Sequence, residues 1–250
     1  MEFSERVLVL QVGKFREADL WVRLLSPTRG LISAFAFGGS RSRRRFVGCL
    51  DIFNEISVRV SASGRTSYLA LQEGVLIKGV NRLRNDWSRF GLAVNCVRFL
   101  QSFGAGPEEA QSSLFLMREV LQLLEEQESV PRLLPLFFRL RLTFDQGYAL
   151  ESSRCSLCGA TLSSASEAAY LLLREGRIVC RSCAGKQPDY RLPLGPEALY
   201  VLNRVKELPP SGWSMIEPSP LCAKEFAQAI DGFIEYHVGI AWDRGRFIRQ

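Results

Sequence analysis

Short apolar runs separated by glycine and polar turns fill the N-terminal third of the chain, from residue 6 to about residue 79. Within several runs apolar and polar residues alternate, as in strands that bury one face. The predicted strands are residues 6–12, 19–25, 31–37, 52–60 and 67–77. Five short strands in so short a segment favour a small β-barrel.

Apolar residues recur at helical spacing after Asn81. Asp86 is a suitable N-cap, and Pro107 and Pro131 suit the first turns of two further helices. The predicted helices are residues 86–103, 107–126, 131–147, 196–206 and 224–238. The pattern therefore predicts an α+β chain of two domains, a barrel over residues 1–80 and an all-α domain over residues 81–250.

The size of the chain suits two such domains, since 250 residues with 47% apolar content can bury a core in each. No apolar run approaches the roughly 18 to 20 residues that a membrane-spanning helix needs. The first five residues include two glutamates and no basic residue, whereas a secretory signal begins with a basic region. These features predict a cytoplasmic protein without a membrane partner.

Positive charge is concentrated in the predicted barrel. Residues 1–79 carry a net charge of +5 out of +6 for the whole chain. Clustered arginine and lysine can neutralise phosphates and release counterions, so nucleic acid is the leading predicted partner. An acidic protein or an anionic membrane would satisfy the same charge.

The most basic segment is the loop of residues 38–45, which contains Arg41, Arg43, Arg44 and Arg45. Arginines this close repel one another unless an anion lies between them, and arginine binds phosphate with two hydrogen bonds. A solvated surface is the plainer interpretation. On the second predicted strand, residues 19–25, Trp21 and Arg23 are predicted to point outward, where an aromatic ring beside a cation suits base stacking. Internal packing of Trp21 is the alternative. The candidate nucleic-acid-binding residues are Lys14, Arg16, Trp21, Arg23, Arg41, Arg43, Arg44 and Arg45.

Four of the seven cysteines form two Cys-x-x-Cys pairs, Cys155 with Cys158 and Cys180 with Cys183. The gap between the pairs leaves room for a hairpin over residues 170–179, and four thiolates form a closed tetrahedral zinc site. We predict one structural zinc ion, with a redox pair or an empty, decayed metal site as the alternatives. The solitary cysteines, Cys49, Cys96 and Cys222, are predicted to be buried apolar residues.

Motifs for catalysis are not found in the sequence. The chain has no Gly-x-x-x-x-Gly-Lys-Ser/Thr loop for a nucleoside triphosphate, so any action on nucleic acid is predicted to proceed without ATP. Its one histidine, His237, is predicted to be a partly exposed surface residue near the end of a helix. We therefore expect no catalytic residue and no enzyme activity.

A basic C-terminal tail with Arg244, Arg246 and Arg249 is a second candidate for phosphate binding.

Two stretches resemble a known family. The first is residues 14–20 (KFREADL), then residues 25–30, then Gly38 with the arginine cluster. The second runs from residues 138–142 (FRLRL) through Gly147-Tyr148 to residues 155–159 (CSLCG). In order and spacing they resemble RecO, a bacterial DNA repair and recombination mediator family.

The resemblance implies an N-terminal OB-fold and a helical C-terminal domain with an inserted Cys₄ zinc module at about residues 151–190. It further implies a response to DNA damage at the nucleoid, with binding of single-stranded and double-stranded DNA. The implied activities are annealing of complementary strands without ATP, remodelling of single-stranded DNA-binding protein on DNA and, with RecR, assistance in loading RecA.

Two other functions share these sequence features. A zinc-ribbon RNA-binding or transcription-associated protein would also have a basic barrel and a Cys₄ site. An adaptor protein that binds an acidic protein tail would use the same basic loop. Preference for RNA, single-stranded DNA or an acidic peptide separates the three.

Overall fold

The computed structural model describes residues 2–62, 68–148, 150–162, 168–186 and 190–250. The chain forms two compact units, one from Met1–Phe90 with Gly104–Leu121 and the other from Gly91–Phe103 with Gln122–Gln250. Two helices are therefore divided between the units. The boundary at residue 80 stays a prediction.

A closed barrel occupies the first unit, and in the described part of the chain it has five strands. They are β1 (Glu2–Lys14), β2 (Leu20–Ser26), β3 (Gly30–Ala36), β4 (Glu55–Ala62) and β5 (Leu69–Lys78). The order is β1-β2-β3-β5-β4, and β1 also pairs with β4, which closes the barrel. The β3–β5 pair is parallel and the other pairs are antiparallel. This arrangement is OB-like and confirms the predicted fold class.

Strand alternation builds the barrel core. On β2, Val22 and Leu24 are fully buried, and Leu20 packs partly against the same cluster. Trp21 and Arg23 lie on the opposite, outer face, as a two-residue side-chain period requires. The prediction of an inward and an outward set on this strand is confirmed.

Helices dominate the rest of the chain. The elements, in order, are α1 (Arg82–Asn85), α2 (Trp87–Phe103), α3 (Ala110–Glu126), α4 (Leu134–Asp145), β6 (Ala169–Leu172), β7 (Arg177–Cys180), α5 (Arg181–Ala184), β8 (Arg191–Leu194), α6 (Pro196–Glu207), α7 (Pro220–Val238), β9 (Ile240–Asp243) and β10 (Arg246–Arg249). The Asp86 carboxylate accepts hydrogen bonds from the N–H groups of Ser88 (2.9 Å) and Arg89 (3.1 Å), as predicted for an N-cap. The Arg89 N–H bond also lowers the pKa of Asp86.

Several elements of the second unit differ from the predictions. Helix α7 begins at Pro220 rather than at residue 224, because Ser219 caps it by accepting a bond from the Cys222 N–H (3.3 Å). Strands β6, β7 and β8 form a small sheet, of which only the β6–β7 hairpin was predicted. The predicted C-terminal tail is a hairpin of β9 and β10, in which the Phe247 ring packs 5.1 Å from the Phe99 ring.

Candidate nucleic-acid interface and metal centre

Two loops meet at one end of the barrel. The Gly38 N–H donates to the Asp19 carboxylate (2.8 Å), and the Ser40 N–H donates to the Ala18 carbonyl (3.1 Å). Gly38 has a φ of 66°, a conformation that favours glycine. The β1–β2 loop, which follows Lys14 and contains Arg16, is thereby tied to the basic loop of residues 38–45.

The acidic residues of this region support the loops. Besides the Asp19 contact with Gly38, Glu17 forms an exposed ion pair with Arg41 at 3.8 Å. An exposed pair of this kind contributes little stability, on the order of 0 to 1 kcal/mol. Arg41 therefore remains available to an anion at small cost.

The remaining arginines of the loop fall into two groups. Arg43 and Arg44 are exposed, and neither has an acidic partner within the described ranges. Arg45 instead donates from Nη2 to the Phe37 carbonyl (2.6 Å), and its guanidinium lies 5.1 Å from the centre of the Phe46 ring. Arg45 thus holds the loop to the barrel, whereas no described residue neutralises Arg43 or Arg44.

Trp21 is half-buried on the outer face of the barrel. Its indole covers Gly13 on β1 so closely that a Cβ added to Gly13 would lie 2.2 Å from the indole Nε1. Two residues further along β2, Arg23 donates to the Ser33 hydroxyl (2.7 Å). The structure places both residues on the outer face, beside the basic end; their contact with DNA stays a prediction.

Four aromatic rings gather on this outer face and were missed by the sequence reasoning. Phe35 is at the centre, with ring centroids 4.8 Å from Phe15, 6.1 Å from Phe37 and 5.6 Å from Tyr68. We call Phe15, Phe35, Phe37 and Tyr68 the aromatic surface. Phe35 and Phe37, two positions apart at the end of β3, were the available signal in the sequence, because such residues share a face.

The paired cysteines come together in the second unit. The Sγ atoms of Cys155, Cys158, Cys180 and Cys183 all lie within 4.8 Å of one another, so they can hold a metal ion. The first pair lies in a turn in which the Gly159 N–H donates to the Cys155 carbonyl (2.9 Å), with Gly159 at a φ of 73°. In the second pair, Cys180 ends β7 and is the N-cap residue of α5, and Cys183 lies within α5.

The protonation of these thiols reflects their mutual contacts. Burial raises the pKa of Cys155, but hydrogen bonds from backbone N–H groups, first that of Cys180 and then that of Cys158, outweigh burial and lower the pKa to about 6. The pKa of Cys183 is raised to about 12, and the largest cause is a hydrogen bond with the Cys158 thiol. The cluster therefore favours at least one thiolate, and a cation would displace the remaining protons.

The solitary cysteines are buried as predicted, and burial raises the pKa of Cys96 to about 12. His237 is half-buried, with its Nε2 atom 2.8 Å from the Leu173 carbonyl oxygen and its ring 4.6 Å from that of Phe233. This position next to the β6–β7 turn indicates a packing role.

Comparison with known proteins covers the entire chain. The family profile described as "Recombination protein O N terminal" matches residues 1–80, and that described as "Recombination protein O C terminal" matches residues 84–246. The chain is 48% identical to the DNA repair protein RecO of Oleidesulfovibrio alaskensis over 249 residues, which cover 100% of both chains. The chain belongs to the RecO family of DNA repair proteins.

Other RecO relatives are similar over the same extent. The DNA repair protein RecO of Nitratidesulfovibrio vulgaris is 47% identical over 251 residues, and that of Solidesulfovibrio magneticus is 41% identical over 250 residues; both alignments cover 100% of each chain. Both Cys-x-x-Cys pairs lie inside the matched C-terminal region of this RecO-family chain. None of its described helices is long and apolar enough to cross a membrane.

Proposed function

We propose that this RecO-family protein is a recombination mediator that binds single-stranded and double-stranded DNA through the basic end of its barrel. The observation that carries the proposal is the pair of exposed arginines, Arg43 and Arg44, without acidic partners among the described residues. Two free guanidinium groups on one short loop repel each other, and a phosphate between them removes that repulsion.

The proposed phosphate-binding site extends beyond these two residues. Lys14 ends β1, and Arg16 lies on the following loop, which is tied to the basic loop; Arg23 lies on the outer face of β2. Arg41 belongs to the site through its exposed position, and Arg45 holds the loop in place. Each phosphate contact adds affinity that falls with salt, for both single-stranded and duplex DNA.

The four-cysteine cluster is proposed to hold one structural zinc ion. Zinc–sulfur bonds of roughly 2.3 Å place the sulfurs of a tetrahedron about 3.8 Å apart. The Sγ atoms of Cys158 and Cys180 have this separation, 3.8 Å, and all four Sγ atoms lie within 4.8 Å of one another, which supports zinc as the ion. Bound zinc would cross-link the two Cys-x-x-Cys turns, and four protein ligands leave no open position for a reacting water.

The remaining features of the proposal rest on RecO family membership. The protein anneals complementary strands without ATP and has no catalytic centre of its own. It remodels single-stranded DNA-binding protein on DNA and, with RecR, assists RecA loading at the nucleoid in the cytoplasm. The barrel domain of residues 1–80 binds DNA, while residues 81–250 supply the helical domain and the zinc module at about residues 151–190.

The binding proposal is tested by fluorescence anisotropy with labelled single-stranded DNA, duplex DNA and RNA of matched length at two salt concentrations. The expected result is binding to both DNA forms that weakens as salt rises. A clear preference for RNA would contradict the proposal in favour of an RNA-binding protein. Binding to an acidic peptide with no affinity for DNA would contradict it in favour of an adaptor.

A further inference from the structure

We infer that the aromatic surface stacks the unpaired bases of single-stranded DNA and thereby makes the barrel bind single strands more tightly than duplex. This inference rests on the proposed DNA binding and goes further, because it names the group that the outer face recognises. The arginines contact phosphate, which both DNA forms present. The rings contact bases, which only a single strand exposes.

The rings are accessible although they touch one another. The exposed fractions are 49% for Phe15, 37% for Phe37 and 39% for Tyr68, and Phe35 is half-buried between them. The buried core of the barrel lies on the other side of the same strands, around Val22 and Ala34. These rings therefore extend outward from the sheet and leave aromatic surface open to a ligand.

The ring geometry suits flat ligands. Phe35 and Phe37 are nearly parallel, with an interplanar angle of 19° at a centroid separation of 6.1 Å. Phe15 is tilted by 58° to Phe35, and Tyr68 stands edge-on to Phe35 at 82°. Bases stack on such aromatic faces with little dependence on sequence, because every base has a π-face.

Positive charge borders the aromatic surface. The Arg16 guanidinium lies 5.3 Å from the centre of the Phe15 ring, and Arg45 donates to the carbonyl of Phe37 (2.6 Å). The unneutralised Arg43 belongs to the loop that Arg45 secures. Rings for bases beside cations for phosphates match the alternating chemistry of a single strand. An apolar protein segment would use the rings but would leave these cations without anions.

The barrel register is what assembles this surface. The parallel pairing of β3 with β5 places Phe35 opposite Ala70, so that Tyr68, just before β5, lies beside it. Phe15 comes from the β1–β2 loop, which is fixed by a hydrogen bond from the Phe15 N–H to the Asp19 carbonyl (2.9 Å). The surface is therefore held by the barrel before DNA arrives, which lowers the entropy cost of binding.

The test compares the affinities of full-length variants for single-stranded and duplex oligonucleotides of the same length. The variants are Phe15→Ala, Phe37→Ala, Phe37→Leu and Tyr68→Ala. The Leu variant keeps apolar volume but removes the ring. Phe115→Ala is the matched control, because Phe115 is 62% exposed on α3 and lies outside the aromatic surface. Thermal unfolding of each variant verifies that the barrel is folded.

The expected result is a loss of roughly fivefold or more in single-strand affinity for each ring that carries a base. Duplex affinity should change much less, so the preference for single strands falls. The salt slope of single-strand binding should stay near that of the wild type, because no phosphate contact is lost. Phe37→Leu should lose affinity as Phe37→Ala does.

Three results would overturn the inference. Wild-type single-strand affinity in folded Phe15, Phe37 and Tyr68 variants would show that bases do not stack there, while the proposed DNA binding would survive. Equal losses of affinity for single-stranded and duplex DNA would show that the rings support the loops and do not stack on bases. Wild-type single-strand affinity in Phe37→Leu, together with weakened affinity in Phe37→Ala, would show that apolar volume at this position is sufficient and that no ring is needed. Failure of the wild-type protein to bind any DNA would instead refute the proposed function.

Discussion

Removing the two unpaired arginines is the change whose effect is best defined by the structure. In the double variant Arg43→Ala, Arg44→Ala, two exposed cations are lost and no hydrogen bond or ion pair to a described residue is broken. Arg45 is kept, because its bond to the Phe37 carbonyl and its contact with Phe46 support the loop. The variant should therefore fold as the wild type does, with the same Tm.

The expected effect on DNA binding follows from counterion release. For single-stranded DNA the logarithmic salt slope is about 0.7 per neutralised phosphate, so two lost contacts reduce it by roughly 1.4. Over a tenfold range of salt the affinity ratio of wild type to variant then shrinks about 25-fold. The variant should bind much more weakly than the wild type at low salt and approach it at high salt.

The assay is fluorescence anisotropy with a labelled single strand at four or more salt concentrations. The matched control is Arg244→Ala, Arg246→Ala, which removes two exposed cations from the C-terminal hairpin. The control should keep the wild-type slope. The reasoning is refuted if the Arg43 and Arg44 variant keeps the wild-type slope and affinity, and a reduced slope in the control alone would place phosphate binding on the hairpin.

Three further changes test other parts of the structure. Cys158→Ala should abolish the one zinc ion per chain found by metal analysis and lower the Tm, because three thiolates no longer close the site; full zinc content would contradict this assignment. Gly13→Ala adds a Cβ 2.2 Å from the Trp21 Nε1 atom. It should shift tryptophan emission and reduce the free energy of unfolding by about 1 to 3 kcal/mol. An unchanged urea midpoint and emission spectrum would contradict the packing of Trp21 on Gly13. The Arg139 guanidinium on α4 donates hydrogen bonds of 2.8 and 3.1 Å to the Asp231 carboxylate on α7. Arg139→Ala should lower the free energy of unfolding in urea by about 1.5 to 3 kcal/mol, and a loss below roughly 0.5 kcal/mol would contradict a stabilising role for these bonds.

The parts of the fold that depend on local pattern could be predicted from the sequence. The alternation of apolar and polar residues along residues 20–25 places Val22 in the core and Trp21 on the outer face, because the side-chain period of a strand is two. Proline and Asp86 signals locate the starts of the helices that follow the barrel to within a few residues. The cysteine cluster was predictable for the same reason, since each Cys-x-x-Cys turn brings two thiols to one point.

The features that depend on register and long-range contacts could not be predicted. The aromatic surface combines Phe15, Phe35 and Tyr68, which lie on different elements. Tyr68 meets Phe35 through the β3–β5 pairing, and Phe15 meets Phe35 through the β1–β2 loop. The different roles of Arg44 and Arg45 depend on one contact with the Phe37 carbonyl. Strands of four residues, such as β9 and β10, are too short to display a period, so the sequence predicts a tail where the structure has a hairpin.

The central claim, that the protein is a DNA repair mediator acting through the basic end of its barrel, is tested most directly by strand annealing. Complementary oligonucleotides coated with single-stranded DNA-binding protein are mixed with the wild-type chain or the Arg43→Ala, Arg44→Ala variant, with and without ATP. The account predicts that the wild-type protein accelerates annealing equally with and without ATP and that the variant does so much less. No acceleration by the wild-type protein, or acceleration only with ATP, would contradict it.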